Sequence, residues 1–195
     1  FKWQDEKWLK VRKETSYQDK PLHLYELYLP AYLGENKEET LKTLAPKLAE
    51  YLKKMNYTHV ELMPIAEYVE NECFGYHTSG YYAPTQRYGT PEEYMYFVNT
   101  LHQAGIGVIL QFNLSCFENG EYGLGQYDGT GLYEHEDYRK GIDARNGKYM
   151  FQYARPEVRE FLISSLLFWV KEYHVDGFHS TCSAYSDGTG ASYKE

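Results

Sequence analysis

Two apolar rhythms alternate along this chain, one of strand length and one of helical period. The segment Leu22–Leu29 (LHLYELYL) is rich in apolar and aromatic residues and closes on Pro30, which predicts a first strand. From Lys37 to Met55 the positions Leu41, Leu44, Leu48, Leu52 and Met55 recur every three or four residues between lysines and glutamates, as in an amphipathic helix. Pro46 argues for a bend or a late start in that helix. Thr58–Met63 (THVELM), stopped by Pro64, predicts a second strand, and an irregular Tyr- and Gly-rich stretch follows from Ile65 to Thr90. Thr90 as N-cap, Pro91 at the first helical position and Glu92 and Glu93 in the first turn predict a second helix, running to Gly105. Gly107–Phe112 (GVILQF) is a nearly continuous apolar run, the pattern of a parallel strand covered on both faces. Asn113–Arg155 has little periodicity and many glycines, and reads as an elaborated loop. Pro156 opens a third helix with Val158, Phe161, Leu162, Leu166, Trp169 and Val170 on its inner face, and a fourth strand is expected over Val175–Cys182.

Strands alternating with helices predict an α/β chain built from successive right-handed βαβ crossovers, with the strands side by side in sequence order. Doubly wound sheets and (β/α)8 barrels both fit that series. No Gly-rich phosphate fingerprint follows the first strand, which counts against a nucleotide-binding sheet. The long loops all follow strands, on the face where barrel enzymes keep their chemistry. A complete barrel takes about 250 residues. Four βα units are readable in this chain of 195, so residues 1–195 are expected to form half of a TIM-type barrel, with 1–21 a charged lead-in.

Composition narrows the function classes. The formal net charge is −8 and no Lys/Arg run is long enough to track a phosphate backbone, so nucleic acid is not an expected partner. No apolar stretch approaches the roughly 20 residues of a membrane span, and the opening FKWQDEKWLK lacks the order of a signal peptide. Three scattered cysteines (Cys73, Cys116, Cys182) do not make a disulfide framework, which favours a cytoplasmic location. The 22 tyrosines can either stack on sugar C–H faces or serve as amphipathic packing between layers, and composition leaves both readings open.

Five strings carry a specific resemblance: YTHVELMPI (Tyr57–Ile65), FGYHTSGYYAPTQRYGTPEEY (Phe74–Tyr94), HQAGIGVIL (His102–Leu110), YDGTGLYEHEDYRKG (Tyr127–Gly141) and EVREFLISSLLFWVKEYHVDGF (Glu157–Phe178). In this order and spacing they resemble the catalytic barrel of the 1,4-α-glucan branching enzymes of the α-amylase superfamily, over Leu22–Gly177. The resemblance implies α-glucans such as glycogen or amylose as the substrate class, no cofactor, and a retaining mechanism in which one carboxylate attacks the anomeric carbon while a carboxylic acid protonates the leaving oxygen.

The resemblance also locates losses. Where the family's third strand ends in Asp, with His five residues later, VILQFNLSCF places Gln111 and Cys116. Where its fourth strand carries Arg and then the Asp nucleophile, VDGFHSTCS places His179 and Thr181. Thr181 has no base at an evident spacing and cannot replace an ionised carboxylate beside an oxocarbenium-like transition state. The chain stops before a fifth strand could supply the acid. Tyr76, in FGYHT, matches the family tyrosine beside the sugar, and Tyr81 and Tyr82 join it as candidate glucan-binding residues. The tail from His179 onward matches the family poorly.

No catalytic residue is therefore expected to be retained, and the leading expectation is a branching-enzyme-like barrel portion without catalysis. The alternatives are a glucan-binding or regulatory pseudoenzyme module and a non-functional piece of a longer chain. His179, Cys182 and Cys116 are soft-metal ligand types, but without an obvious fourth ligand they are read as small residues filling an emptied pocket, and no metal is expected. Glu134, His135, Glu136 and Asp137 read as a solvated loop, and Glu26 and Glu61 as buried, hydrogen-bonded strand residues rather than acid-base groups. Open edges on the first and fourth strands predict self-association.

Overall fold

The computed structural model describes residues 1–17, 20–33, 39–120, 122–143 and 147–180. They form two compact units. The first comprises Phe1–Ile65, Pro84–Gln111 and Phe168–His179, and the second comprises Ala66–Ala83 and Phe112–Leu167 together with Ser180.

The first unit is organised by a four-stranded sheet of β1 (Leu24–Leu27), β2 (His59–Leu62), β5 (Gly107–Phe112) and β8 (Gly177–Ser180), in the order β1-β2-β5-β8. Sequence order is kept across the sheet, as the crossover argument requires. β1 runs parallel to β2 and β2 to β5, with Glu26 opposite Glu61 and Glu61 opposite Ile109. That register sorts the side chains. Leu27, Val60, Leu62, Val108 and Leu110 fall on one face and are fully buried, whereas Glu26, Glu61 and Gln111 share the other.

Two helices of this unit pack on each other. α3 (Leu41–Lys54) buries Leu41, Leu44, Leu48 and Leu52, and α4 (Pro91–Gln103) buries Tyr94, Phe97, Val98 and Leu101. Burying each leucine contributes about 2 kcal/mol. Both helices open on a reciprocal capping box, Thr40 with Thr43 in α3 and Thr90 with Glu93 in α4. The Thr40 cap starts α3 at Leu41 and the helix runs on to Lys54, so Pro46 lies inside it and forgoes one helical bond, and neither a late start nor a break removes it from the helix. Each also stops in a left-handed residue, Asn56 after α3 and Gly105 after α4. Gly107 has a different reason to be glycine. A Cβ there would lie 2.2 Å from the His59 ring and 3.0 Å from Trp8.

Three parts differ from the sequence expectations. The lead-in contains a helix, α1 (Glu6–Glu14), that buries none of its residues, so no apolar period marks it. The short helix α2 (Leu29–Leu33) follows β1 directly. The stretch 65–90 contains β3 (Ala66–Tyr68), a 3-10 turn at Asn71–Cys73, and β4 (Thr78–Pro84), which pairs with β3.

In the second unit, β6 (Cys116–Phe117) pairs antiparallel with β7 (Tyr149–Met150), and α5 (Tyr138–Gly141) lies between them in sequence. The 113–155 loop is thus a folded layer. Its core is aromatic: Tyr81 meets Phe151 at 5.4 Å and Phe161 at 5.7 Å, and Phe117 meets Phe151 at 4.5 Å between ring centroids. α6 (Pro156–Glu172) contributes Val158 and Leu162 to this unit, and Trp169 to the core of the first.

Candidate functional site

On the polar face of the first unit's sheet, three strands bring Glu61, Gln111 and His179 together. Gln111 is buried, and its amide Nε2 donates to Glu61 Oε1 at 2.6 Å and to Glu26 Oε1 at 3.1 Å. His179 Nδ1 lies 2.6 Å from the same Glu61 oxygen, while more than half of the His179 side chain stays exposed. Glu61 is buried and Glu26 is exposed. The expectation of hydrogen-bonded strand carboxylates thus fits both residues, and burial fits Glu61 alone. Gln111 offers an amide where a nucleophile or base would need a lone pair of high basicity, and it spends that amide on two carboxylates. Thr181 and Cys182 lie outside the described residues.

In the second unit, Cys116 is buried and its Sγ receives a hydrogen bond from Asn113 Nδ2 at 3.2 Å. Asn113 Nδ2 also donates to the Tyr76 carbonyl at 2.6 Å, and Asn113 Oδ1 accepts from Ser115 N and Ser115 Oγ at 3.0 and 2.8 Å. Asn113 is a structural knot that the apolar pattern gave no reason to single out. The three tyrosines divide. Tyr76 is half-buried, and Tyr82 is 39% exposed with its hydroxyl donating to the Phe161 carbonyl at 2.8 Å. Tyr81 departs from the expected stacking role: it is 2% exposed, and its hydroxyl donates to the carbonyls of Asn113 and Cys116. Burial pushes its phenol well above the usual range. Its place in β4 makes it a core residue, because alternation turns neighbouring Tyr82 outward and Tyr81 inward.

A second polar cluster in the same unit was not foreseen. Glu70, His77 and Glu118 each bring one oxygen or nitrogen to within 4.8 Å of the others. Lys148 Nζ lies 2.9 Å from both oxygens of Glu118 and 3.7 Å from Glu70. Burial pushes the Glu118 carboxyl up, but Lys148 and the N–H groups of Asn119 and Gly120 outweigh it, and the net is below the usual value. The reciprocal holds for Lys148, whose ammonium is favoured by Glu118 against burial.

The comparisons with known proteins agree on what this scaffold resembles. Residues 34–115 match the family model described as alpha amylase, catalytic domain. The resemblance is to the α-amylase catalytic domain. Within it, the chain is 45% identical to the 1,4-alpha-glucan branching enzyme GlgB of Hydrogenovibrio crunogenus and 44% identical to that of Cellvibrio japonicus, over 91% of its own length in each case. It spans about a quarter of those relatives, 25% and 24%. Among solved structures, it superposes on a Salmonella typhimurium protein assigned as an alpha amylase with a TM-score of 0.74, at 26% identity, over 92% of this chain and 28% of that one. The alpha-amylase of Geobacillus thermoleovorans, at 21% identity, shares the fold with a TM-score of 0.68 over 86% of this chain and 41% of that one. The sheet is therefore the α/β, TIM-barrel type that the sequence predicted, in four strands. No helix among the described residues is long and apolar enough to cross a membrane.

Proposed function

We propose that this chain carries the α-glucan scaffold of the branching enzymes without their glycosyl-transfer chemistry. The observation that carries the reading is Gln111, which stands at the family's third-strand carboxylate position and is tied by its own amide to Glu61 and Glu26. Retaining glycoside chemistry needs one ionised carboxylate as nucleophile and one protonated carboxyl as acid. Gln111 supplies neither, and Cys116, His179 and Thr181 replace the family's His, Arg and Asp. Cys116 is held by Asn113 in the core and does not reach solvent. As a hypothesis, the purified chain neither branches nor hydrolyses amylose, and restoring Asp at position 181 alone does not change that.

A glucan-binding role without turnover is the second reading, and the exposed face of Tyr82 favours it. Titration with maltoheptaose, following tyrosine fluorescence, tests it. Saturable quenching that Tyr82→Ala removes supports binding, and a flat titration rejects it.

A further inference from the structure

We propose that Glu70, His77 and Glu118 form a binding site for a divalent transition-metal ion of the zinc type, which competes with the ammonium of Lys148 for the same cage. The inference does not depend on the glucan reading.

The cage is built by backbone pairing. Glu118 follows β6 and Lys148 precedes β7, so the antiparallel register that sets Phe117 against Tyr149 carries on to set Glu118 against Lys148. The Glu118 N–H donates to the Thr78 carbonyl at 3.1 Å, which fixes the start of β4 and hence His77 beside it. Glu70 enters from the turn between β3 and β4, with its side chain 57% exposed. Two carboxylates and an imidazole converge, a donor set that suits borderline metals such as Zn2+ better than the all-oxygen preference of Mg2+ or Ca2+.

The occupant is under-determined by lysine alone. His77 Nδ1 is buried and has no hydrogen-bond partner. An unpaired buried polar nitrogen costs on the order of 1–3 kcal/mol. The ammonium of Lys148 satisfies Glu118 at 2.9 Å but leaves this nitrogen without a bond. A metal ion held by Glu70 and Glu118 would take up the imidazole, which the lysine cannot. Burial and Lys148 draw the imidazole's pKa below its usual value against the opposing pull of Glu118 and Glu70.

Distances favour a small contraction. A tetrahedral ion with bonds of about 2.1 Å holds its ligand atoms about 3.4 Å apart. The three donor atoms now lie within 4.8 Å of one another, so the cage closes by about 1.4 Å at most. Exposed Glu70 is free of the core packing that would resist such a movement. Cys73 lies on the same turn, its Sγ donating to the Glu70 carbonyl at 2.8 Å, and it is close enough to raise the Lys148 pKa. Water completes the coordination.

The test is isothermal titration of the full chain with ZnCl2, with MgCl2 as the control ion. One saturable site for Zn2+ and none for Mg2+ is expected. His77→Gln and Glu70→Gln should each weaken Zn2+ binding at least tenfold, and Lys148→Met should tighten it at least tenfold. Circular dichroism checks that each variant is folded, and Glu70→Gln, an exposed change, keeps the test decisive if another variant is not. Absence of saturable Zn2+ binding by the wild-type chain overturns the proposal. So does binding that survives both Glu70→Gln and His77→Gln, which would place the ion on exposed histidines such as His23 or His179.

Discussion

The attachment of α1 centres on the Asp176 carboxylate, with Arg12 Nη1 also donating to the His174 and Val175 carbonyls at 3.2 Å, and Asp176→Asn should loosen it. Asp176 Oδ1 accepts from Trp8 Nε1 at 2.9 Å and Arg12 Nη1 at 2.8 Å, and Oδ2 accepts from the Val108 N–H at 2.7 Å and pairs with His102 Nε2 at 2.9 Å. Four donors thus converge on a side chain that is 4% exposed. On its other side, His102 Nδ1 meets Asp5 Oδ2 at 2.7 Å, and Trp8 stacks on the His102 ring with centroids 5.3 Å apart. Asp5, the N-cap residue of α1, makes no capping bond with its side chain and uses it here instead. Asparagine at 176 removes the charge and turns an NH2 toward two of the donors. Breaking a buried pair by removing one partner costs about 3–5 kcal/mol. At about 2–4 °C per kcal/mol for a chain of this size, the midpoint of thermal unfolding should fall by roughly 6–20 °C. Circular dichroism melts give that number, and limited trypsin digestion at Lys7, Lys10, Arg12 and Lys13 reports whether α1 is released. A melt within about 1 kcal/mol of wild type, with α1 still protected, would refute the reasoning, since α1 buries no apolar residue that could hold it instead.

Other outcomes follow from the same contacts. Burial pushes the Asp176 carboxyl up, but His102, Trp8 and the Val108 N–H outweigh it and draw it below the usual carboxylate value. Its stabilisation is therefore complete above an unfolded value of about 3.9 and is lost as pH falls through the lower folded value. Urea melts between pH 5 and pH 2 should show this acid loss in wild type and a smaller one in Asp176→Asn. Tyr81→Phe removes the hydroxyl from the Asn113 and Cys116 carbonyls and should cost about 1–2 kcal/mol in urea melts, whereas Tyr82→Phe, at an exposed site, should cost less than half of that. Gln111→Leu leaves buried Glu61 without its amide donor and should cost about 1–3 kcal/mol, a loss that Glu61→Gln in the same chain partly reverses. Size-exclusion chromatography with light scattering should show self-association at tens of micromolar, because β1 has a neighbour on one side only among the described residues and exposes Leu24. A monodisperse monomer would show that the edge is protected.

The elements legible in the sequence were those whose burial imposes a period. GVILQF and THVELM sit in β5 and β2 because both lie mid-sheet, and α3 and α4 were readable from their leucine and aromatic faces and their caps. α1 was not readable because polar bonds from Trp8 and Arg12 hold it, and such bonds leave no apolar stripe. Tyr81 was misjudged for a related reason. Its phenol is amphipathic enough for either face of β4, and only the packed Phe112, Phe151 and Phe161 rings decide which it takes. The cage of Glu70, His77, Glu118 and Lys148 draws on four separate turns and strand ends, so no spacing along the chain could reveal it.

The central claim, that the scaffold persists without the chemistry, is tested most directly by incubating the purified chain with amylose and following the iodine complex. Absorbance indistinguishable from the no-protein control over many hours is expected. A loss of iodine colour that Thr181→Ala abolishes, and that a surface change such as Lys42→Ala leaves intact, would contradict it.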